Sequence, residues 1–330
     1  MENVTHTPKY EVVFFDLYGT LIDIRTDEQC DAAWQALYDT ACELGAQYDS
    51  VEALRERFEK LEAREMLHQS NHAIVRNGWD EFDVLPVYRS LLMNRNDEAE
   101  RLLALPQAAQ KAAWAFRQGS TSMIRLYPGA LEMIEKLQEA GIVVALLSNA
   151  QSCYTRAELE MTGLASVLDD VIISSEEKIR KPARDLYMLA LDREFVTAKH
   201  ALMVGNDEKN DIVGARSAGI DGVYFRTEIS PADDPDASSY AVRSFKGADY
   251  EGLLDYVPNA DLSHCVRTAR VLRGVRCVVR IARRAPRLRG SPFVKRVRYG
   301  AYICSIRSQD FCNNGKMMRV KLRESTKDIV

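Results

Sequence analysis

Four short polar groups, spread over nearly two hundred residues, have the types that group transfer needs. The first is Asp16, in the run Phe14-Phe15-Asp16-Leu17-Tyr18-Gly19-Thr20. The second is Ser148-Asn149, after Ile142–Leu147. The third is Lys181, followed by Pro182, and the fourth is Asn206, Asp207 and Asp211. A carboxylate can attack phosphorus or carbon and divide one hard displacement into two easier ones. A lysine and a hydroxyl donor can stabilise charge that develops on the transferred group. Several carboxylates gathered near an attacking one would repel it unless a cation sat among them. Oxygen-only ligands with retained waters suit Mg²⁺.

Each group follows an apolar run. Glu11–Phe15 stops at Asp16, and Gly19-Thr20 is a turn signal. From Tyr127-Pro128-Gly129 onward, helical and strand patterns alternate. A helix carries Leu131, Ile134 and Leu137. Strands are expected at Ile142–Leu147, Val171–Ser174, Ala201–Val204 and Gly222–Phe225, the last closing the series. Helices are expected over about Asp185–Leu191 and Asp211–Ala218, the latter stopped by Gly219. Such alternation predicts an α/β fold with a doubly wound, mostly parallel sheet. Ligands of such sheets bind beyond the carboxyl ends of the strands, where all four polar groups fall.

Residues from about 22 to 124 read differently. Trp34, Leu37, Tyr38, Ala41 and Leu44 recur at helical spacing, as do Leu54, Phe58 and Leu61. A run from Ala99 to Phe116 is expected to break at Pro106. No strand pattern interrupts the stretch, which predicts an inserted helical bundle. Residues 226–240, with three Asp and two Pro, read as a surface loop.

The 330 residues are 46% hydrophobic and 28% charged, which suits a globular protein with ample core. No apolar run approaches the roughly 18 residues of a membrane span, and the N-terminus lacks the apolar core of a secretion signal. A cytoplasmic location is expected. The seven cysteines include no Cys-x-x-Cys pair, so free thiols are expected rather than disulfides or structural zinc. Residues 259–330 hold 18 Lys or Arg against 4 Asp or Glu, whereas the whole chain has a net charge of −4. This asymmetry puts a boundary near residue 258. Three readings of the basic tail stay open. It could form a basic amphipathic helix for RNA or an anionic surface, for which the few aromatic residues give little support. It could be an extension folding back on the acidic body, or it could be an out-of-frame extension.

The four groups, in this order and at these separations, resemble the four signatures of the haloacid dehalogenase (HAD) superfamily. Phe-Phe-Asp-Leu-Tyr-Gly-Thr-Leu resembles the first, Leu-Leu-Ser-Asn the second, Arg-Lys-Pro the third and Val-Gly-Asn-Asp-Glu-Lys-Asn-Asp the fourth. The resemblance covers roughly residues 8–258. It implies a HAD-like Rossmannoid core at 1–21 and 125–258 and a helical type-one cap at 22–124. It further implies that Asp16 attacks the substrate and that Thr20, Ser148 and Asn149 hold the transferred group. Lys181, rather than Lys178, would offset charge. Mg²⁺ would be held by Asp16, the backbone carbonyl of Tyr18, Asn206, Asp207 and Asp211.

Two departures pull in opposite directions. The family's phosphatases place a second Asp two residues after the nucleophile, as acid and base. Here Tyr18 stands there, and a phenol with an ordinary pKa near 10 is a poor base at neutral pH. The family's 2-haloacid dehalogenases also carry Tyr at this position, since halide leaves without a proton. Against that, the acid-rich fourth group suits Mg²⁺ and a phosphoryl group. The expected activity is a Mg²⁺-assisted, phosphatase-like hydrolase of a small phosphorylated metabolite, working through an aspartyl intermediate. The alternatives are a 2-haloacid dehalogenase and a phosphoryl-binding protein with little turnover. Trp34, Tyr38, Trp79, Tyr88, Arg89, Trp114 and Arg117 are the cap residues that could set substrate identity. Cys153 is read as structural.

Overall fold

The computed structural model describes residues 9–72, 78–93 and 99–257. The basic tail, with four of the seven cysteines, lies outside them. The chain opens with β1 (Val12–Phe15), then β2 (Ile22–Thr26). Four helices follow: α1 (Asp31–Glu43), α2 (Val51–His72), α3 (Leu85–Leu91) and α4 (Ala99–Ser120). Alternation then runs through β3 (Thr121–Leu126), α5 (Ala130–Glu139), β4 (Val143–Ser148) and α6 (Ser152–Met161). After α7 (Leu164–Val167) come β5 (Asp170–Ile173), α8 (Ser174–Glu177) and α9 (Arg184–Glu194). The last elements are β6 (Ala201–Gly205), α10 (Gly214–Ser217), β7 (Asp221–Arg226), β8 (Arg243–Lys246) and α11 (Tyr250–Tyr256).

Six strands form one sheet in the order β5-β4-β1-β6-β7-β8, with every pair parallel. Parallel sheets are buried on both faces, which requires strands apolar on both sides. β1, Val-Val-Phe-Phe, meets this: all four residues are buried. Val13 and Phe15 face one core with Met133, Ile134 and Leu137 of α5 and Leu253 of α11. Val12 and Phe14 face the other, with Leu186, Tyr187 and Ala190 of α9 and Ala215 of α10. The doubly wound α/β arrangement expected from the sequence is thus the one adopted.

The inserted helices bury their own apolar faces together. Trp34, Leu37, Leu54, Phe58, Tyr88 and Phe116 form a third core, which also takes in Cys153 and Tyr154 of α6. Three details differ from the sequence reading. Strands do occur between 22 and 124: β2 and β3 pair antiparallel as a two-stranded ribbon at the two ends of the insert. α4 does not break at Pro106 but runs through it. A proline inside a helix costs about 3 kcal/mol, and burial of Leu105, Ala109, Ala112, Ala113 and Phe116 on either side offsets that. The sheet does not end at Phe225, because β8 adds one more strand after the 227–242 loop. Among the described residues, no helix is long and apolar enough to cross a membrane.

Candidate active site

β1 lies between β4 and β6, with Phe15 level with Leu146 on one side and Val204 on the other. The register brings the three strand ends to one edge. Asp16 directly follows β1, Ser148 is the last residue of β4, and Asn206 directly follows β6. The Asp16 N–H donates to the Val204 carbonyl at 2.9 Å, so the nucleophile candidate is still held by the sheet.

Lys181 arrives from the loop between α8 and α9 and meets two carboxylates. Its Nζ donates to Asp16 Oδ1 and to Asp211 Oδ1, each at 2.6 Å. The Ser148 hydroxyl donates to the same Asp16 oxygen at 3.2 Å. Lys181 and Asp211 are fully buried and Asp16 is nearly so. Burial by itself would lower the Lys181 pKa. The two carboxylates outweigh it and hold the ammonium above its ordinary range. Burial pushes the Asp211 carboxyl upward, Lys181 draws it back, and Asp16 adds to the rise.

The loops that carry these groups are fixed by their neighbours. The Asn149 side chain accepts from the Lys181 N–H at 2.7 Å and donates to the Lys181 carbonyl at 3.0 Å. Its amide therefore positions Lys181 and is not directed at a ligand. Gly19 adopts φ +84°, and a Cβ there would lie 2.1 Å from Asn206 Nδ2, so only glycine fits this turn. Thr20 is buried, with its hydroxyl donating to Asn206 Oδ1 at 3.4 Å. Two residues near the end of the sheet hold the same turn. Thr227 donates to the Gly19 carbonyl at 2.8 Å and Tyr250 to the Thr20 carbonyl at 2.6 Å. Sequence reasoning missed both, because nothing local to either marks it as a partner of residues 19 and 20.

After Asn206 the chain makes a π-helical turn, Glu208–Val213. The turn separates the two aspartates expected to act together. Asp207 caps the turn, accepting from the Asn210 N–H at 2.7 Å and from its side-chain amide at 2.6 Å. Its carboxylate is thereby turned onto Asn210. Asp211 points inward, and its second oxygen accepts from the Asp207 N–H at 3.0 Å. Tyr187, also missed, donates to the Asn210 carbonyl and braces the turn from α9.

Among the described residues, no three His, Cys, Asp or Glu side chains converge as a metal cluster. Mg²⁺ does not need one, since it keeps several waters and binds through one or two carboxylates. Asp16 and Asp211 supply two, and the trio with Lys181 carries a net negative charge when ionised. That oxygen-rich, buried, anionic site fits a small hard cation.

Tyr18 turns away from the nucleophile toward the insert. Its hydroxyl donates to Glu158 on α6 and lies 3.0 Å from Thr155 Oγ1. The other Glu158 oxygen accepts from Arg117 Nε of α4 at 2.7 Å, and Arg117 also reaches Glu28 at 3.4 Å. Burial raises the Tyr18 pKa, and the Glu158 charge raises it further. Tyr18 is thus a fixed hydrogen-bond donor and no base. Of the cap residues named above, Trp34 and Tyr88 are buried in the insert's own core, and Tyr38 donates to the Tyr48 carbonyl. Tyr88, Trp79 and Arg117 have side chains that reach groups outside the insert: the Tyr88 hydroxyl lies 2.6 Å from that of Tyr154 on α6, the Trp79 ring meets Arg180 and Lys209, and Arg117 binds Glu158. Cys153 is buried, and burial raises its thiol pKa, as a structural residue requires.

A sequence model of the haloacid dehalogenase-like hydrolases matches residues 10–219. A segment of 119 residues is 37% identical to the ribulose-1,5-bisphosphate 5-phosphatase of Halopiger xanaduensis, covering 36% of this chain. The match spans about half of that relative, 48% of its length. Over 221 residues the chain is 28% identical to the (S)-2-haloacid dehalogenase 4A of Burkholderia cepacia, covering 66% of this chain and 84% of that protein. The solved 2-haloacid dehalogenase of Pseudomonas syringae has a TM-score of 0.48 at 19% identity, over 75% of this chain and 98% of that one. The model's match over most of the chain, on a fold that gathers the four signatures at one sheet edge, shows that the chain belongs to the haloacid dehalogenase-like hydrolases.

Proposed function

We propose that this hydrolase removes the phosphoryl group from a small phosphorylated metabolite, with Asp16 as covalent nucleophile and Mg²⁺ as cofactor. The observation that carries the reading is Lys181, buried between Asp16 and Asp211 at 2.6 Å from each. A buried anionic pair with one shared cation is prepared for a further cation and a phosphoryl dianion. A relative that covers part of this chain is a sugar bisphosphate phosphatase by name, and another is a phosphoserine phosphatase.

In this reading the free oxygen of Asp16 attacks phosphorus in line with the leaving oxygen. Ser148 and Lys181 then turn from Asp16 toward the phosphoryl oxygens, where charge develops. Thr20 supports them through Asn206. Asn149 acts by holding the Lys181 backbone and through its own backbone. Asp16, Asp211, Asn206 and the Tyr18 carbonyl would hold Mg²⁺, and Asp207 would shape the turn that presents Asp211. When bound, the ion would supply positive charge against the phosphoryl oxygens. The domain assignment belongs to the same proposal: a core of 1–21 and 125–258, with 22–124 as the cap.

A second reading rests on Tyr18. Its commitment to Glu158 leaves residue 18 without an acid/base, which suits a leaving group that needs no proton, such as halide. The Burkholderia cepacia relative is a haloacid dehalogenase by name. One experiment separates the two. The protein is offered p-nitrophenyl phosphate and 2-chloropropionate, each with Mg²⁺ and with EDTA. Phosphate release that EDTA abolishes is expected, and chloride release indifferent to EDTA would sink the phosphatase.

A further inference from the structure

With Tyr18 engaged elsewhere, a phosphatase needs another group to give the leaving oxygen its proton. The segment Gly78–Val84, which precedes α3, lies across the loop that carries Lys181. Asp80 forms an antiparallel bridge with Ile179. The Arg180 N–H donates to the Trp79 carbonyl at 3.0 Å, and the Glu81 N–H to the Lys178 carbonyl at 3.3 Å. The Trp79 ring meets two cations, Arg180 at 5.6 Å and Lys209 at 5.4 Å. One of these adjoins Lys181 and the other sits two residues before Asp211. The segment therefore spans both loops that position the buried ion pairs.

The bridge fixes where Asp80 sits along that loop. Residues directly opposite in an antiparallel pair project to the same face, so Asp80 shares a face with Ile179. Lys181 follows Ile179 by two residues, where the chain enters a turn closed by the Ala183 N–H on the Arg180 carbonyl at 3.0 Å. The Lys181 side chain leads to Asp16. Asp80 thus belongs to the segment that covers the loop bearing Lys181.

Asp80 also carries an unanswered acceptor. Among the described residues, three buried side-chain atoms lack a hydrogen-bond partner: Asp23 Oδ1, Asp80 Oδ1 and Tyr127 OH. Asp23 has its other oxygen held by two Arg125 nitrogens at 3.0 and 2.8 Å. Among the described residues, Asp80 Oδ1 is left without a hydrogen bond. Buried polar atoms are almost always satisfied, and the exceptions concentrate where a ligand or a proton completes them.

We infer that Asp80 is the general acid and base that residue 18 does not supply. This rests on the phosphatase reading. As Asp16 attacks, the P–O bond to the leaving group breaks and the Asp80 carboxyl gives its proton to the departing oxygen, releasing the alcohol. The Asp80 carboxylate then takes a proton from water as that water attacks the aspartyl phosphate. The P–O bond to Asp16 breaks, phosphate leaves, and Asp80 is again protonated. Atoms and charge balance without a further reagent. Because Asp80 belongs to the insert, the acid is present only when the segment 78–84 is seated on the Lys181 loop.

The test compares Asp80→Asn with the unaltered protein on two esters, propyl phosphate and p-nitrophenyl phosphate, both with Mg²⁺. Propyl phosphate needs a proton on its leaving oxygen, so turnover should fall roughly 10²–10⁴-fold. p-Nitrophenolate leaves unaided, so the variant should release one equivalent in a burst and then turn over slowly, with the intermediate trapped. Asp80→Glu should restore part of the propyl phosphate activity. Asp80→Asn that hydrolyses propyl phosphate within a few-fold of the unaltered protein, with no burst, overturns the assignment alone. A lowered melting temperature with loss of the burst overturns it in favour of a structural role. An unaltered protein inactive on both esters overturns the phosphatase reading and, with it, the role of Asp80.

Discussion

Two buried charge clusters flank the nucleophile candidate, and they are built on one plan from different parts of the chain. In one, Lys181 bridges Asp16 and Asp211. In the other, Arg117 binds Glu158 at 2.7 Å, and Glu158 in turn accepts from Tyr18. The first cluster joins the end of β1 to the α8–α9 loop and to the π-helical turn after β6, all parts of the sheet domain. The second joins the insert to α6 and to the residue two beyond Asp16. In the proposed function the cation of the first cluster serves the chemistry, whereas the cation brought in by the insert ties the insert to α6. The comparison explains how Tyr18 can occupy an acid/base position without acting there. Its phenol is part of the second cluster and not of the first.

Substitutions can break the comparison, beginning with the largest effect. Asp16→Asn should remove turnover of p-nitrophenyl phosphate altogether while the protein still unfolds cooperatively. Activity that survives would falsify Asp16 as the nucleophile. Lys181→Met leaves two buried carboxylates facing each other without their cation. Breaking a buried pair in this way costs about 3–5 kcal/mol, readable by denaturant unfolding, and turnover should be lost as well. A cost under 1 kcal/mol would mean that the carboxylates are already neutralised without Lys181.

The second cluster should be less costly to break. Arg117→Met strips a charged partner from buried Glu158, but its Glu28 arm is half exposed and contributes little. A loss of roughly 1.5–3 kcal/mol is expected, with KM for the substrate raised more than kcat is lowered. The reverse split would place Arg117 in the chemical step. Tyr18→Phe removes one donor from Glu158 and should cost about 1–2 kcal/mol, with turnover reduced less than tenfold. A hundredfold loss of kcat would draw the phenol into the first cluster and undo the distinction.

How much of this was legible in the residues follows the same division. Asp16, Ser148, Lys181 and Asp211 were readable because each follows or anchors an apolar run, and strand ends are local events. The β2–β3 ribbon was not. Thr121–Leu126 is half-buried along most of its length and shows no clean alternation to mark it as a strand. Pro106 misled for the opposite reason, since a local rule was overridden by packing that the local pattern does not reveal. Asp207 was open to the two readings of any Asp before a turn, metal ligand or cap. The position of Asn210 is what shows the cap.

The sequence by itself determined the doubly wound fold, the inserted helices, the family and the identity of the nucleophile candidate. These depend on hydrophobic period and on residue type at strand ends, both written in short windows. The tertiary structure decided which charges meet. It brought Lys181 to Asp211, turned Tyr18 to Glu158 and Arg117, set Tyr187 under the fourth loop, and laid Asp80 beside Ile179. Those partners lie from 23 to 140 residues apart along the chain. Pairing at such separations follows from sheet register and helix packing, which no short window contains.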